Sequence, residues 1–116
     1  MSQNIEMCTF LIEQCNASPL IRNKNGRTPL IEMIRCRTLK VKGLKELILL
    51  FRSTIDEQDA SGKTALMFSS TGAGVFGSKK GDIKIIQQLL DLGANIHCKD
   101  KNENTALIYA IESNKK

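Results

Sequence analysis

Apolar residues recur along this chain at helical spacing and predict long helices that end in turns. The segment Asp82–Leu92 is the clearest case, because a single stripe at intervals of three and four residues carries Ile83, Ile86, Leu89 and Leu90. Gly93 follows, and glycine commonly ends a helix in the left-handed conformation. Similar patterns predict helices at Leu44–Phe51 and from about Ile5 to Gln14.

Three copies of a short motif mark the start of a second, shorter kind of helix. Segments 23–30, 59–66 and 100–107 share Asp or Asn first, Thr sixth, Pro or Ala seventh and Leu eighth, with Gly fourth in two copies and Glu103 in the third. Threonine is a good helix N-cap because its hydroxyl can accept a backbone N–H of the first turn. The motif therefore predicts short helices from Pro29 to about Arg37, from Ala65 to Thr71 and from Ala106 to about Ser113.

The alternation of turn, short helix, loop and long helix indicates a repeat array. The motif threonines at 28, 64 and 105 are 36 and 41 residues apart. Such an array buries the apolar stripes of its helices between neighbouring units. The predicted core residues are Leu30, Leu66, Ile86, Leu89, Leu90 and Leu107.

The segment GDIKIIQQLLDLGANI at 81–96, followed by Asp100 and by Thr-Ala-Leu at 105–107, resembles the ankyrin repeat. The resemblance extends from about Ile5 to Tyr109 and implies an all-α solenoid of helix-turn-helix units with β-turn fingers. It divides the chain into a half unit at about 1–22, repeats at about 23–58 and 59–99, and a half unit at about 100–116. The family period is about 33 residues, so the excess places an inserted loop at 71–80 and a shorter insertion near 37–40.

The chain departs from the family pattern at the histidine that follows Thr-Pro-Leu. Ile31, Met67 and Ile108 stand at that position, so the turns are expected to lack its side-chain hydrogen bonds. Both ends carry half units, and the last helix is expected to leave an apolar edge at Ile108, Tyr109 and Ile111.

Composition is consistent with one small soluble domain built from 116 residues. Aromatic residues make up only 4%, so the core must consist of Leu, Ile, Ala and Met. No apolar run approaches the roughly 18 residues that span a bilayer, and the first residues do not resemble a signal peptide. An intracellular protein with reduced thiols and no membrane partner is therefore expected.

The chain carries a net charge of +5, with Lys and Arg in small groups. An acidic partner and a solvated basic surface both fit this charge. Nucleic acid is disfavoured, because acidic residues are interspersed and aromatics for base stacking are nearly absent.

The glycine-rich segment 72–79 is the nearest approach to a catalytic motif. A P-loop requires lysine where Ser78 stands, and it follows a strand, whereas a short helix precedes this segment. We predict a mobile loop that binds no nucleotide, although a partner-binding loop anchored by Phe76 remains an alternative. The cysteines at 8, 15, 36 and 98 lack zinc-site spacing, and His97 is the chain's one histidine. No catalytic residue, metal or cofactor is expected.

The ankyrin resemblance implies a non-catalytic, monomeric protein that binds other proteins through its turn tips and the exposed side of its short helices. The alternative is a nucleic-acid- or nucleotide-binding protein that uses the basic groups or the loop at 71–81. Solubility alone would also explain polar residues at the tips. The residues at the matching positions are Lys24, Asn25, Arg27, Ser61, Lys63, Lys101, Asn102 and Asn104.

Overall fold

The computed structural model describes residues 6–7, 10–35, 44–71 and 79–113, and these are helices joined by turns. The helices are α1 (Phe10–Gln14, π-helical), α2 (Pro29–Arg35), α3 (Leu44–Leu50), α4 (Ala65–Ser69), α5 (Lys79–Asp91) and α6 (Ala106–Ser113), with a 3₁₀ turn at Arg52–Thr54. No strand occurs within the described ranges, and the predicted all-α fold is confirmed.

Each short helix begins at the threonine predicted to cap it. The hydroxyls of these threonines accept the amides of Ile31, Met67 and Ile108 at 3.3, 3.3 and 3.4 Å. A cap of this kind satisfies one of the backbone donors that a helix leaves unpaired at its start. The start of α2, α4 and α6 is therefore decided by hydrogen bonds within four consecutive residues.

The long helix α5 differs in one respect from its prediction. It begins at Lys79, so Lys79 and Lys80 belong to a helix and not to the predicted loop at 71–80. Residues 72–78, which include the glycine-rich segment and Phe76, lie outside the described residues. At the other end, Gly93 has φ +94°, and its predicted role as the left-handed helix stop is confirmed.

The core lies where α4 packs against α2, α5 and α6, and where α3 packs against α5. Of the predicted core residues, Leu30, Leu66 and Leu89 are buried, and Ile86 is half-buried against the core. Residues that are at most 2% exposed include Ile31, Ile34, Ile48, Phe51, Met67 and Ile85. Apart from Phe51, the buried apolar residues of the core are Leu, Ile, Ala and Met, in agreement with the expectation from the shortage of aromatic residues.

The prediction that Leu90 and Leu107 are buried is wrong, and so is the assignment of Ile83 to the buried stripe. Their exposed fractions are 41%, 69% and 54%. Helix α5 instead turns Ile85 and Leu89 toward α3 and α4, which leaves Ile83 and Leu90 on its outer sides. Leu107 lies on the side of α6 that no described element covers. Of the apolar edge predicted on α6, Ile108 and Ile111 are exposed, whereas Tyr109 is half-buried against the core.

Candidate functional site

The three turns that precede the short helices have one construction. The first residue of each motif, Asn23, Asp59 or Asp100, accepts the amides two and four positions further on through its Oδ1 atom, at 2.9–3.1 Å. Local side-chain bonds of this type stabilise a turn from within. The turns therefore keep side-chain hydrogen bonds of their own despite Ile31, Met67 and Ile108.

Backbone hydrogen bonds connect each turn to the next. The amide of Ala60 donates to the carbonyl of Asn25 at 3.1 Å, and the amide of Lys101 donates to the carbonyl of Ser61 at 3.0 Å. Gly62 has φ +86°, and an added Cβ would come within 2.9 Å of the Lys101 nitrogen. Glycine is required here both for the left-handed conformation and for the close approach of the neighbouring turn.

Two side chains at corresponding positions reinforce this connection. The Arg22 guanidinium donates to the carbonyls of Gly26 and Gln58, both at 2.7 Å. The Gln58 amide donates to the carbonyls of Gly62 and Lys99 at 2.7 and 2.8 Å. Each side chain therefore spans its own turn and the next one. These bonds and the backbone bonds between turns form what we call the turn ladder.

The turn ladder arranges the predicted contact residues in a row, but these residues differ in how far they are exposed. Exposed tip residues are Lys24, Asn25, Ser61, Lys101 and Asn102. Arg27, Lys63 and Asn104, which directly precede the capping threonines, are half-buried. The structure brings Arg27 and Lys63 together over the ring of Phe68, at 5.8 and 5.4 Å from its centroid. We call this surface the tip face. It consists of the exposed tip residues and of the cluster formed by Arg27, Lys63, Phe68 and the neighbouring Tyr109.

Two further residues belong to the tip face that the motif did not predict, Phe68 and Tyr109. Both are the fourth residue after a capping threonine, a position that Glu32 occupies in the first copy. The Lys63 ammonium lies 5.3 Å from the centroid of Tyr109, so two aromatic rings hold it. All three copies carry a large side chain at this motif position, and that recurrence in the sequence could have indicated these two residues.

The two cations differ in their carboxylate partners. Arg27 lies 3.6 Å from Glu32 and 3.7 Å from the buried side chain of Asp59. Lys63 has no carboxylate within ion-pair distance among the described residues. Arg27 therefore has two carboxylates within ion-pair distance, whereas Lys63 lies against two aromatic rings and acts on Asp100 only from beyond that distance.

The buried Asp100 and the half-buried Tyr109 form a polar pair at the edge of this cluster. The Tyr109 hydroxyl donates to Oδ2 of Asp100. Burial raises the pKa of Asp100, but hydrogen bonds from Tyr109, Asn104 and Asn102 and the charge of Lys63 outweigh it, so the pKa lies below its ordinary value. Burial and the bond to Asp100 raise the pKa of Tyr109. Asp100 is therefore an anion and Tyr109 a neutral donor at neutral pH.

Outside the tip face, the described residues include few side chains that could bind a metal or react. They contain no group of three or more potential metal-ligand side chains. Cys15 is exposed and Cys98 half-buried, and burial together with the charge of Asp56 raises the pKa of the Cys98 thiol. Within the same ranges, none of the helices has the length and apolar character needed to cross a membrane.

Paired helices joined by turns in register define a helical repeat protein that presents a row of tips. The family model of the ankyrin repeat matches residues 61–101, and the predicted resemblance to this family is confirmed. Among solved structures, the chain is similar to the ankyrin repeat domain of Bcl-3, described as a unique member of the IkappaB protein family. The TM-score is 0.68 and the identity 21%, with 96% of this chain and 46% of that chain covered. No curated protein matches the chain.

The fold is therefore that of an ankyrin repeat domain. The chain spans less than half the length of the solved domain that it matches.

Proposed function

We propose that the protein is a non-catalytic intracellular scaffold that binds a partner protein through the tip face. The observation that carries this proposal is the division of roles within each turn. Asn23, Asp59 and Asp100 close the turns, and Gly62 allows their close approach. Between these positions the tips carry exposed side chains, such as Lys24 and Lys101, that are available for contact.

Regular spacing makes the tip face suitable for an extended segment of a partner. The turn ladder holds successive tips in register by direct hydrogen bonds. A partner segment that runs along the ladder would meet Lys24, then Ser61, then Lys101. Contacts of this kind are individually weak, about 0.2–1 kcal/mol for an exposed ion pair, so affinity depends on meeting several tips together.

The cation cluster favours acidic side chains on that segment. Phe68 and Tyr109 hold the Lys63 ammonium at a defined place, so little conformational freedom is lost when a carboxylate binds it. Arg27 has carboxylates of its own in Glu32 and Asp59. We therefore expect Lys63 to contribute more than Arg27 to the affinity for an acidic partner.

The basic groups give little support to nucleic-acid binding. Arg22 pairs with Glu57, Arg27 with Asp59 and Arg35 with Glu32, so carboxylates neutralise several of the grouped cations. Elution from heparin separates the alternatives, because binding to phosphates weakens steeply with salt. A protein scaffold should leave the column at low salt.

Partner capture followed by titration calorimetry tests the proposal. The partner is identified by mass spectrometry after capture on the immobilised chain, and affinities are then measured for Lys63→Glu, Arg27→Glu and the double variant. Lys63→Gln removes the charge without repelling Asp100, and thermal melts check that every variant is folded. Affinity should fall most for the double variant and more for Lys63→Glu than for Arg27→Glu.

Lys84→Glu is the matched control, because it makes the same charge change at an exposed position on α5. If this control abolishes binding while the Arg27 and Lys63 variants leave it unchanged, the partner binds the long-helix side and the proposed site is wrong. Unchanged affinity between low and high salt would contradict the acidic partner, since exposed ion pairs are screened.

A further inference from the structure

The second and third turns differ in one oxygen atom, the hydroxyl of Tyr109. Asp59 and Asp100 are the first residues of their motifs, both are buried, and each uses Oδ1 to accept amides of its own turn. Phe68 and Tyr109 occupy one motif position, the fourth after the capping threonine. The Tyr109 hydroxyl donates to Oδ2 of Asp100, whereas Phe68 has no hydroxyl to offer Asp59. The two turns therefore differ in the donor that is available to the second carboxylate oxygen.

The cation that each unit places over the aromatic ring of the next unit differs in the same way. Nε of Arg27 lies 3.7 Å from Oδ2 of Asp59, in the turn that has no tyrosine hydroxyl. Lys63 stands at the corresponding position one unit further and lies over the Tyr109 ring. No carboxylate of the described residues is within ion-pair distance of Lys63, although its charge still acts on Asp100. The cation is thus paired with the turn aspartate only where the hydroxyl is missing.

The cost of burying a carboxylate explains this difference. A buried carboxylate oxygen that lacks a donor is unfavourable, so it attracts a cation within reach. Arg27 approaches Asp59 in this way, even though its buried Nε makes no hydrogen bond within the described residues. At Asp100 the neutral Tyr109 hydroxyl already satisfies Oδ2, and an ammonium would have to displace it and lose its own water. The hydroxyl therefore occupies the oxygen atom that would otherwise attract Lys63.

We infer that Tyr109 is a positioning residue of the tip face, whose hydroxyl occupies Oδ2 of Asp100 and so prevents Lys63 from forming an ion pair within the fold. The ring of Tyr109, together with Phe68, holds the Lys63 ammonium in place. The charge of Lys63 stays available to a carboxylate of the partner as a result. This role rests on the proposed function for its consequence, but the pairing within the fold is testable without a partner.

A double-mutant cycle in urea tests the pairing in the absence of any partner. Tyr109→Phe keeps the ring and removes only the hydroxyl, so Lys63 should then pair with Asp100. Lys63→Gln should therefore lower the urea midpoint more in the Tyr109→Phe chain than in the unaltered chain. Adding Asp100→Asn should abolish that extra loss, because no carboxylate remains to hold Lys63. Circular dichroism checks that each variant is folded.

Titration with an oligoglutamate peptide measures the consequence for binding, and oligoglutamine is the neutral control. Tyr109→Phe should raise the Kd for oligoglutamate as much as Lys63→Gln does, by about 1.5- to 5-fold for one exposed ion pair. Tyr109→Phe should have no further effect in the Lys63→Gln chain. Asp100→Asn should restore the affinity of the Tyr109→Phe chain, since an asparagine closes the first turn in the same way at Asn23. A merely structural role of Tyr109 would make the two losses add.

Two outcomes would overturn this role of Tyr109. If Lys63→Gln lowers the urea midpoint equally with and without the Tyr109 hydroxyl, the hydroxyl does not control the pairing of Lys63. If Tyr109→Phe weakens peptide binding and Asp100→Asn does not restore it, the hydroxyl acts through the fold or on the peptide itself. Failure of the proposed function is distinguishable from both. In that case the urea cycle gives the expected result, but the unaltered chain binds oligoglutamate no better than oligoglutamine.

Discussion

Leu89 and Leu90 are adjacent leucines in α5 that differ in how far they are buried. Leu89 is completely buried, whereas Leu90 is 41% exposed beside an open apolar groove that Leu107 also lines. The sequence pattern places both on the buried stripe. Truncation of each leucine to alanine therefore tests whether the helix is oriented as the structure shows.

The expected magnitudes follow from burial. Leu→Ala removes three carbon atoms, and at about 0.8 kcal/mol for each buried methylene the transfer contribution is ~2.4 kcal/mol. At Leu89 the enclosed cavity adds to this, within the usual range of about 2–5 kcal/mol. At Leu90 roughly three-fifths of the side chain is covered, which gives ~1.4 kcal/mol. The groove is open there, so no enclosed cavity forms.

Urea unfolding followed by far-ultraviolet circular dichroism measures both free energies. The comparison requires equal slopes, because a changed slope would report a changed unfolded or native state and not stability alone. Leu107→Ala, at 69% exposure, provides a further control that should lie close to the unaltered chain.

Two results would refute this reasoning. A loss below about 0.5 kcal/mol for Leu89→Ala would be far under the range for a buried leucine, so Leu89 would have to face solvent. Equal losses of unfolding free energy for Leu89→Ala and Leu90→Ala would mean that α5 buries the stripe that the sequence pattern predicts.

Four further predictions concern the turns and the glycine-rich segment 72–79. Gly62→Ala should destabilise the chain more than Gly93→Ala, because an added Cβ at 62 meets the next turn while at 93 it meets nothing within 4 Å; equal urea midpoints would contradict this. Glu103 has φ +64°, so Glu103→Gly should raise the urea midpoint by relieving a strain of about 1–2 kcal/mol; a lower midpoint would contradict it. The folded-state pKa of Asp100 is lowered, so the stabilisation from its carboxylate is complete above the unfolded-state pKa of about 3.9 and is lost as pH falls through the folded-state pKa. The difference in unfolding free energy between the unaltered chain and Asp100→Asn should therefore shrink in acid. A difference independent of pH would count against this prediction. Calorimetry with ATP or GTP should show no saturable binding, and binding that Lys79→Ala abolishes would refute this.

Much of the fold was predictable because its signals are local. A capping threonine bonds to an amide three residues away, and Gly93 ends α5 through its own backbone conformation. These interactions need no distant partner, so the helix starts at Pro29, Ala65 and Ala106 agree with the sequence analysis.

The candidate site was predictable only in outline. The row of tips follows from the repeated motif, but the approach of Lys63 to both Phe68 and Tyr109 depends on how α4 and α6 pack together. The ring of Tyr109 comes from the following motif copy, and motif position by itself does not report distances between units.

By itself, the sequence determined the repeat, its helices and capped turns, and the resemblance to ankyrin repeats. The tertiary structure decided which apolar residues are buried, because burial depends on a neighbouring unit and not on the motif. Leu66 and Leu107 show this directly, since they share one motif position yet only Leu66 is covered by the next unit. It also decided that Arg27 is paired with carboxylates while Lys63 is not, because the contacts of a side chain across units depend on how those units stack.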